Sequence, residues 1–126
     1  MLEIHRSHIG AITVLEISGR IDAMNCDMLQ EAIDRVSDEG HKRDLLLKMT
    51  GVNYLSAAGL RVLRNLKQAT GTVRIVEPSI RVIEVMQITG LDAVYEIYVS
   101  LTEALHQTEP VVNAHTHLEI GWLKSG

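Results

Sequence analysis

A single cysteine, Cys26, leaves the 126-residue chain unable to form an internal disulfide. The opening segment MLEIHRSHIG has no cationic stretch leading into an apolar run, so neither secretion nor export is signalled and a cytoplasmic protein is expected. No apolar run approaches the roughly 20 residues that cross a bilayer. Acidic residues outnumber basic ones, 16 to 12, for a net charge of -4 without any basic block. Nucleic acid and anionic lipid surfaces are therefore not the expected partners. The chain also lacks a G-x-S-x-G elbow, a G-x-x-x-x-G-K-[ST] loop and a G-x-G-x-x-G turn, so hydrolase, nucleotide and dinucleotide chemistry have no motif behind them. No local pattern joins a nucleophile to a base, and an enzyme is not expected. His106, His115 and His117 offer imidazoles, yet no cysteine or well-placed carboxylate completes a ligand set; solvated histidines are expected, with no metal and no cofactor.

What is present suits one compact core: 46% hydrophobic residues in a chain of single-domain length. Leu2 to His8 and Ile12 to Ile17 read as strands around the turn Ile9-Gly10-Ala11, an antiparallel hairpin. RIDAMN reads as irregular, after which Cys26, Leu29, Ile33 and Val36 recur at helical steps behind Asn25 as cap, with Gly40 as the stop. Asp44 to Met49 contains LLL without alternation, which predicts a central strand covered on both faces. Gly51 to Leu55 reads as loop. Leu60, Leu63 and Leu66 mark a second amphipathic helix with Arg61, Arg64 and Lys67 on another face and Gly71 as its end. Val73 to Val76 predicts a strand, Pro78-Ser79 a helix start, and Gly90-Leu91 a left-handed stop with its apolar follower. A last strand is expected in Tyr95 to Val99, and Ser100 with Glu103 makes a capping box for a short helix. The alternation predicts an α/β fold: a mixed sheet opened by an antiparallel hairpin, with right-handed crossovers and about four flanking helices. Residues 1–108 are read as the domain and 109–126 as a C-terminal tail, because periodicity stops near Glu109-Pro110. Ile120, Trp122 and Leu123 in that tail suit folding back, exchange with a neighbour, or a loose end equally.

The stretch YLSAAGLRVL, Tyr54 to Leu63, places a serine at the mouth of a helix directly after a buried strand. Such a serine accepts a bond from a free backbone N–H, worth about 1 kcal/mol. The same mouth, with free amides and the positive dipole end, also stabilises an added phosphate. Gly59 permits close approach of another backbone or of a ligand. Arg61, Arg64 and Lys67 form either a basic edge facing an acidic partner or the solvated side of the helix.

GVNYLSAAGLRVL, preceded by DLLLKMT and by GRID before the first helix, resembles the STAS domains of bacterial anti-sigma factor antagonists over roughly Leu2 to Gln107. The resemblance implies a cytoplasmic STAS fold that regulates transcription by binding an anti-sigma factor with serine kinase activity and so freeing a sigma factor. It further implies that the kinase phosphorylates a serine at the start of the second helix and that a phosphatase reverses this; a homodimer is compatible with it. Carried onto this chain, the partner-facing set is Asp22, Tyr54, Ser56, Ala57, Ala58, Gly59, Leu60, Arg61 and Arg64. Asp22 matches the acidic position before the first helix, Ser56 the aspartate-or-serine position, and Gly59-Leu60 the pair that follows. The phosphate-acceptor position falls on Ala57, which has no hydroxyl. That departure leaves three readings: no switch, Ser56 as acceptor, or an alanine replacing a serine to lock the unphosphorylated state. A second class of function also fits, a non-phosphorylated STAS subunit of a lipid-transport ABC complex or of a signalling scaffold.

Overall fold

A computed structural model of the chain describes residues 1–37, 44–66 and 72–106. Strands β1 (Leu2–Ile9) and β2 (Ile12–Ile21) form the expected hairpin, with Ile9 facing Ile12. Gly10 turns the chain at φ 60°, where a side chain would be strained. Helix α1 (Cys26–Ser37) leads to β3 (Asp44–Leu55), then α2 (Ala57–Arg64), β4 (Val73–Val76), α3 (Ile80–Thr89), a 3₁₀ turn at Leu91–Ala93, β5 (Glu96–Tyr98) and α4 (Leu101–Leu105). The sheet order is β1-β2-β3-β4-β5. The first pair is antiparallel and the other three are parallel, so the sheet is mixed and β3 is its centre, as the unalternating LLL predicts.

That run packs on two sides. Leu45 and Leu47 join Leu15, Ile17 and Ile75 under α1, α2 and α3, which contribute Leu29, Ile33, Leu63, Val82 and Met86. Leu46 points the other way, onto Val14, Val76, Tyr98 and Ala104 of α4. Leu46, Leu63 and Val76 are each 0% exposed. Burying each such side chain is worth about 2 kcal/mol. On the α4 side the Tyr98 hydroxyl donates to Glu96 Oε1 at 2.8 Å. Burial, then that carboxylate, push the hydroxyl's pKa from 10.0 to about 12.

Three local expectations are corrected. Gly51 to Leu55 is strand rather than loop: β3 continues through Leu55 and stays paired with β2, Gly51 opposite Ser18 and Leu55 opposite Ile21. Register shifts between Glu16 and Ser18 and between Gly19 and Arg20 absorb the irregularity. A Cβ on Gly51 would stand 2.5 Å from Ser18 Cβ, so the glycine marks a close strand approach and not a break. For the same reason Arg20 and Ile21, read as irregular, complete β2.

Asn25 does not cap α1 alone. Asp22 Oδ1 accepts from the N–H groups of Met24 and Asn25 at 3.0 and 3.1 Å, while Asn25 Oδ1 accepts in return from Asp22 N at 2.9 Å. This is a reciprocal capping box with Asp22 at its head. Helix α2 stops at Arg64 with Asn65 as its C-cap, although Leu66 is still buried. Gly40, Lys67, Gly71, His115, His117 and the tail with Ile120, Trp122 and Leu123 lie outside the described residues. No helix among the described residues is long and apolar enough to cross a membrane.

Candidate functional site

The start of α2 follows the end of β3 with a single residue between them, Ser56. Its N–H donates to Ile21 O at 2.9 Å, which ties the helix mouth to the end of β2. The residue is extended, φ -83° and ψ 171°, and its Oγ accepts from Gly59 N at 3.2 Å. Ser56 therefore caps the helix, as its position predicts. No acidic side chain occupies the first turn, so the positive end of the helix has no carboxylate beside it, whereas Arg61 and Arg64 lie in the last turn, where the dipole favours cations.

Ala57 is exposed at the first helical position, Ala58 is half-buried, and Leu60 is half-buried against the core. Gly59 is buried. A Cβ there would stand 2.6 Å from Ile21 Cγ2 and 2.8 Å from Leu55 Cδ1. What approaches Gly59 is thus the protein's own strand ends; the close approach expected of a ligand is taken by Ile21 and Leu55. Arg61 and Arg64 are exposed.

Tyr54 is 42% exposed at the end of β3. The Arg20 guanidinium lies over its ring, 4.2 Å from the centroid, an arrangement worth about 0.5–1 kcal/mol at an exposed site. Arg20 belongs to this surface although sequence reasoning left it out. Only the β2–β3 register, Arg20 opposite Tyr54, brings the two together. Beside them a groove of about 510 Å³ runs between the end of β3 and α3, with Tyr54, Arg81, Val85 and Ile88 along it. Asp22 sits half-buried before α1 with one carboxylate oxygen committed to its capping box.

The arrangement brings Tyr54, Ser56, Ala57, Arg61 and Arg64 onto one helix mouth and its flank, and folds Gly59 inward. Chemically it offers an exposed helix N-terminus whose one hydroxyl is engaged in capping, with two arginines farther along the helix in its last turn. Among the described residues no group of three or more histidine, cysteine or carboxylate side chains is placed to hold a metal.

The model for the STAS domain matches residues 3–104. An anti-sigma factor antagonist from Mycobacterium paratuberculosis is similar in structure, with TM-score 0.78, 22% identity, 86% of this chain and 94% of that chain covered. An anti-sigma-factor antagonist (STAS) domain protein from Planctomyces limnophilus follows at TM-score 0.73 and 19% identity, covering 82% and 96%. The anti-sigma factor antagonist SpoIIAA in its unphosphorylated form superposes at TM-score 0.69 and 16% identity, covering 83% and 95%. No match was found among curated proteins.

Proposed function

Because the chain belongs to the STAS domain family, we propose that it is a cytoplasmic anti-sigma factor antagonist, a binding module that sequesters a serine-kinase-type anti-sigma factor and frees a sigma factor for transcription. The mouth of α2 is the docking face. Tyr54 with Arg20 gives it an aromatic and cationic centre, Arg61 and Arg64 a basic edge, and Ala57 the exposed position at which a phosphate would otherwise be placed. Asp22 acts on this face by fixing the start of α1, and Gly59 and Leu60 by seating α2 on the strands. Residues 1–108 form the working domain, and the reaction chemistry belongs to the partner.

The antagonist reading is supported by the STAS match over residues 3–104 and by the anti-sigma factor antagonists among the similar structures; Ala57, exposed at the first turn of a helix without its own acid and unable to accept phosphate, decides its form. The chain is then a constitutive binder, because no phosphate arrives to add repulsion at the interface. The same alanine supports a second reading, a STAS subunit of a lipid-transport ABC complex or a scaffold, where no phosphorylation is needed. Capture on the immobilised full chain from its native cells separates the two. Recovery of a kinase-type ATPase without the sigma factor it has released supports the antagonist; recovery of transporter subunits without such a kinase overturns it.

A further inference from the structure

A second helix mouth, that of α3, carries a cavity of its own. At the C-terminal ends of β4 and β5, beside Thr50 within β3, a crevice of about 390 Å³ is lined by Thr50, Glu77, Pro78, Ile80, Ile83 and Val99, together with Ile97 and Tyr98. The C-terminal ends of parallel strands are where α/β sheets open crevices to ligands, and this volume lies in the range of small-molecule sites. Its walls are almost wholly apolar. Ile80 and Val99 remain 49% and 52% exposed at the rim.

Glu77 is the sole charged residue among those lining it. It is also the only non-glycine residue at positive φ among the described residues, at 56°. That conformation costs a residue with a side chain stability that glycine would not lose, and strain of this kind gathers at functional positions. The Thr50 hydroxyl donates to Glu77 Oε1, holding the carboxylate in place across 27 residues of sequence. No further hydrogen bond to that carboxylate is made among the described residues.

We propose that this crevice binds a small amphipathic amine, its apolar body between Ile80, Ile83 and Val99 and its ammonium group on Glu77. The mouth of α3 opposes a cation with only about half an elementary charge. The carboxylate carries a full one, so the rim stays negative. Ser79 already caps α3, its Oγ accepting from Val82 N at 3.3 Å, which leaves Glu77 free of that duty. Of the two nearest cations in sequence, Arg74 faces Glu96, its Nε 4.0 Å from Oε1, and Arg81 lines the groove beside Tyr54.

Tryptamine is the probe and indole-3-propionate its control, with the same ring system and the opposite charge. Titrated into the isotope-labelled full chain, tryptamine shifts the backbone amides of Thr50, Glu77, Ile80 and Val99 in a saturable way, and indole-3-propionate binds at least about tenfold more weakly. Glu77→Gln, which keeps the shape and the bond to Thr50, weakens tryptamine to the level of the acid. Equal binding of the two probes, undiminished tryptamine binding in Glu77→Gln, or no saturable shift at millimolar amine each overturns the proposal. So does a shift in emission of Trp122, the chain's one tryptophan, caused by Glu77→Gln in the absence of amine. That outcome assigns the crevice to the chain's own C-terminal segment.

Discussion

Helices α2 and α3 begin alike and are surrounded differently. Each follows a parallel strand, and each is capped by a serine whose Oγ accepts from the N–H three residues on, Ser56 from Gly59 at 3.2 Å and Ser79 from Val82 at 3.3 Å. Ser100 does the same for α4, from Glu103 at 3.2 Å. A capping serine is thus a structural device repeated through the fold and carries no function by itself. The difference lies in the joint. Strand β3 runs up to Leu55, next to Ser56, whereas β4 ends at Val76 and leaves Glu77 and Pro78 as a spacer before Ser79. Without a spacer the third residue of α2 lies against Ile21 and Leu55 and has to be glycine. With one, α3 carries valine at the same position, 1% exposed and fully packed. The tight joint leaves Ala57 and the arginine flank of α2 exposed; the loose one leaves a crevice.

The largest effect should come from making the α2 mouth resemble that of α3. Gly59→Val forces a branched side chain between Ile21 and Leu55 and should cost about 2–3 kcal/mol of stability, read as a lower urea midpoint at unchanged slope. An unchanged midpoint would mean that the joint is not tight. Removing the caps treats both mouths equally: Ser56→Ala and Ser79→Ala should each lose about 1 kcal/mol. Only Ser56→Ala lies on the proposed docking face, so a matching loss of partner binding in Ser79→Ala would dissolve the distinction between the two mouths.

Alkaline pH tests the layer beneath α4. The folded Tyr98 hydroxyl is raised from 10.0 to about 12, so the unfolded chain loses that proton first. Stability is full below pH 10, falls as the pH rises from about 10 to about 12, and the fall is absent in Tyr98→Phe. Equal alkaline losses in the two proteins would place the titration elsewhere. The smallest effects belong to Arg61→Ala and Arg64→Ala, which should change stability by less than about 0.5 kcal/mol. They should slow association with the partner at low salt, a difference that fades as salt is added.

Much of this was readable in the residues because their signals are local. Ser56, Ser79 and Ser100 announce helix starts, Gly90 at φ 81° announces a stop, and the unbroken Leu45-Leu46-Leu47 announces a strand covered on both faces. The continuation of β3 was hidden because Gly51 and Asn53 read as turn residues, and their strand geometry is imposed by the neighbouring β2 rather than by propensity. Asp22 and Asn25 are both good caps three residues apart; which one heads the box depends on the hydrogen bonds and not on residue type. Arg20 on Tyr54 and Glu77 on Thr50 are pairings between different strands or strand ends, set by register and by a backbone turn that no short window contains.

The central claim is that the α2 mouth is a docking face from which the phosphate switch has been removed at Ala57. Affinity for the serine-kinase anti-sigma partner, measured by calorimetry with and without ATP on the unmodified chain and on Ala57→Ser, tests it most directly. The account predicts ATP-independent binding of the unmodified chain, and in Ala57→Ser the gain of one phosphate with loss of binding by at least about tenfold, as expected when charge is placed on an interface. Phosphate transfer to the unmodified chain, abolished by Ser56→Ala, would make Ser56 the acceptor and contradict the claim.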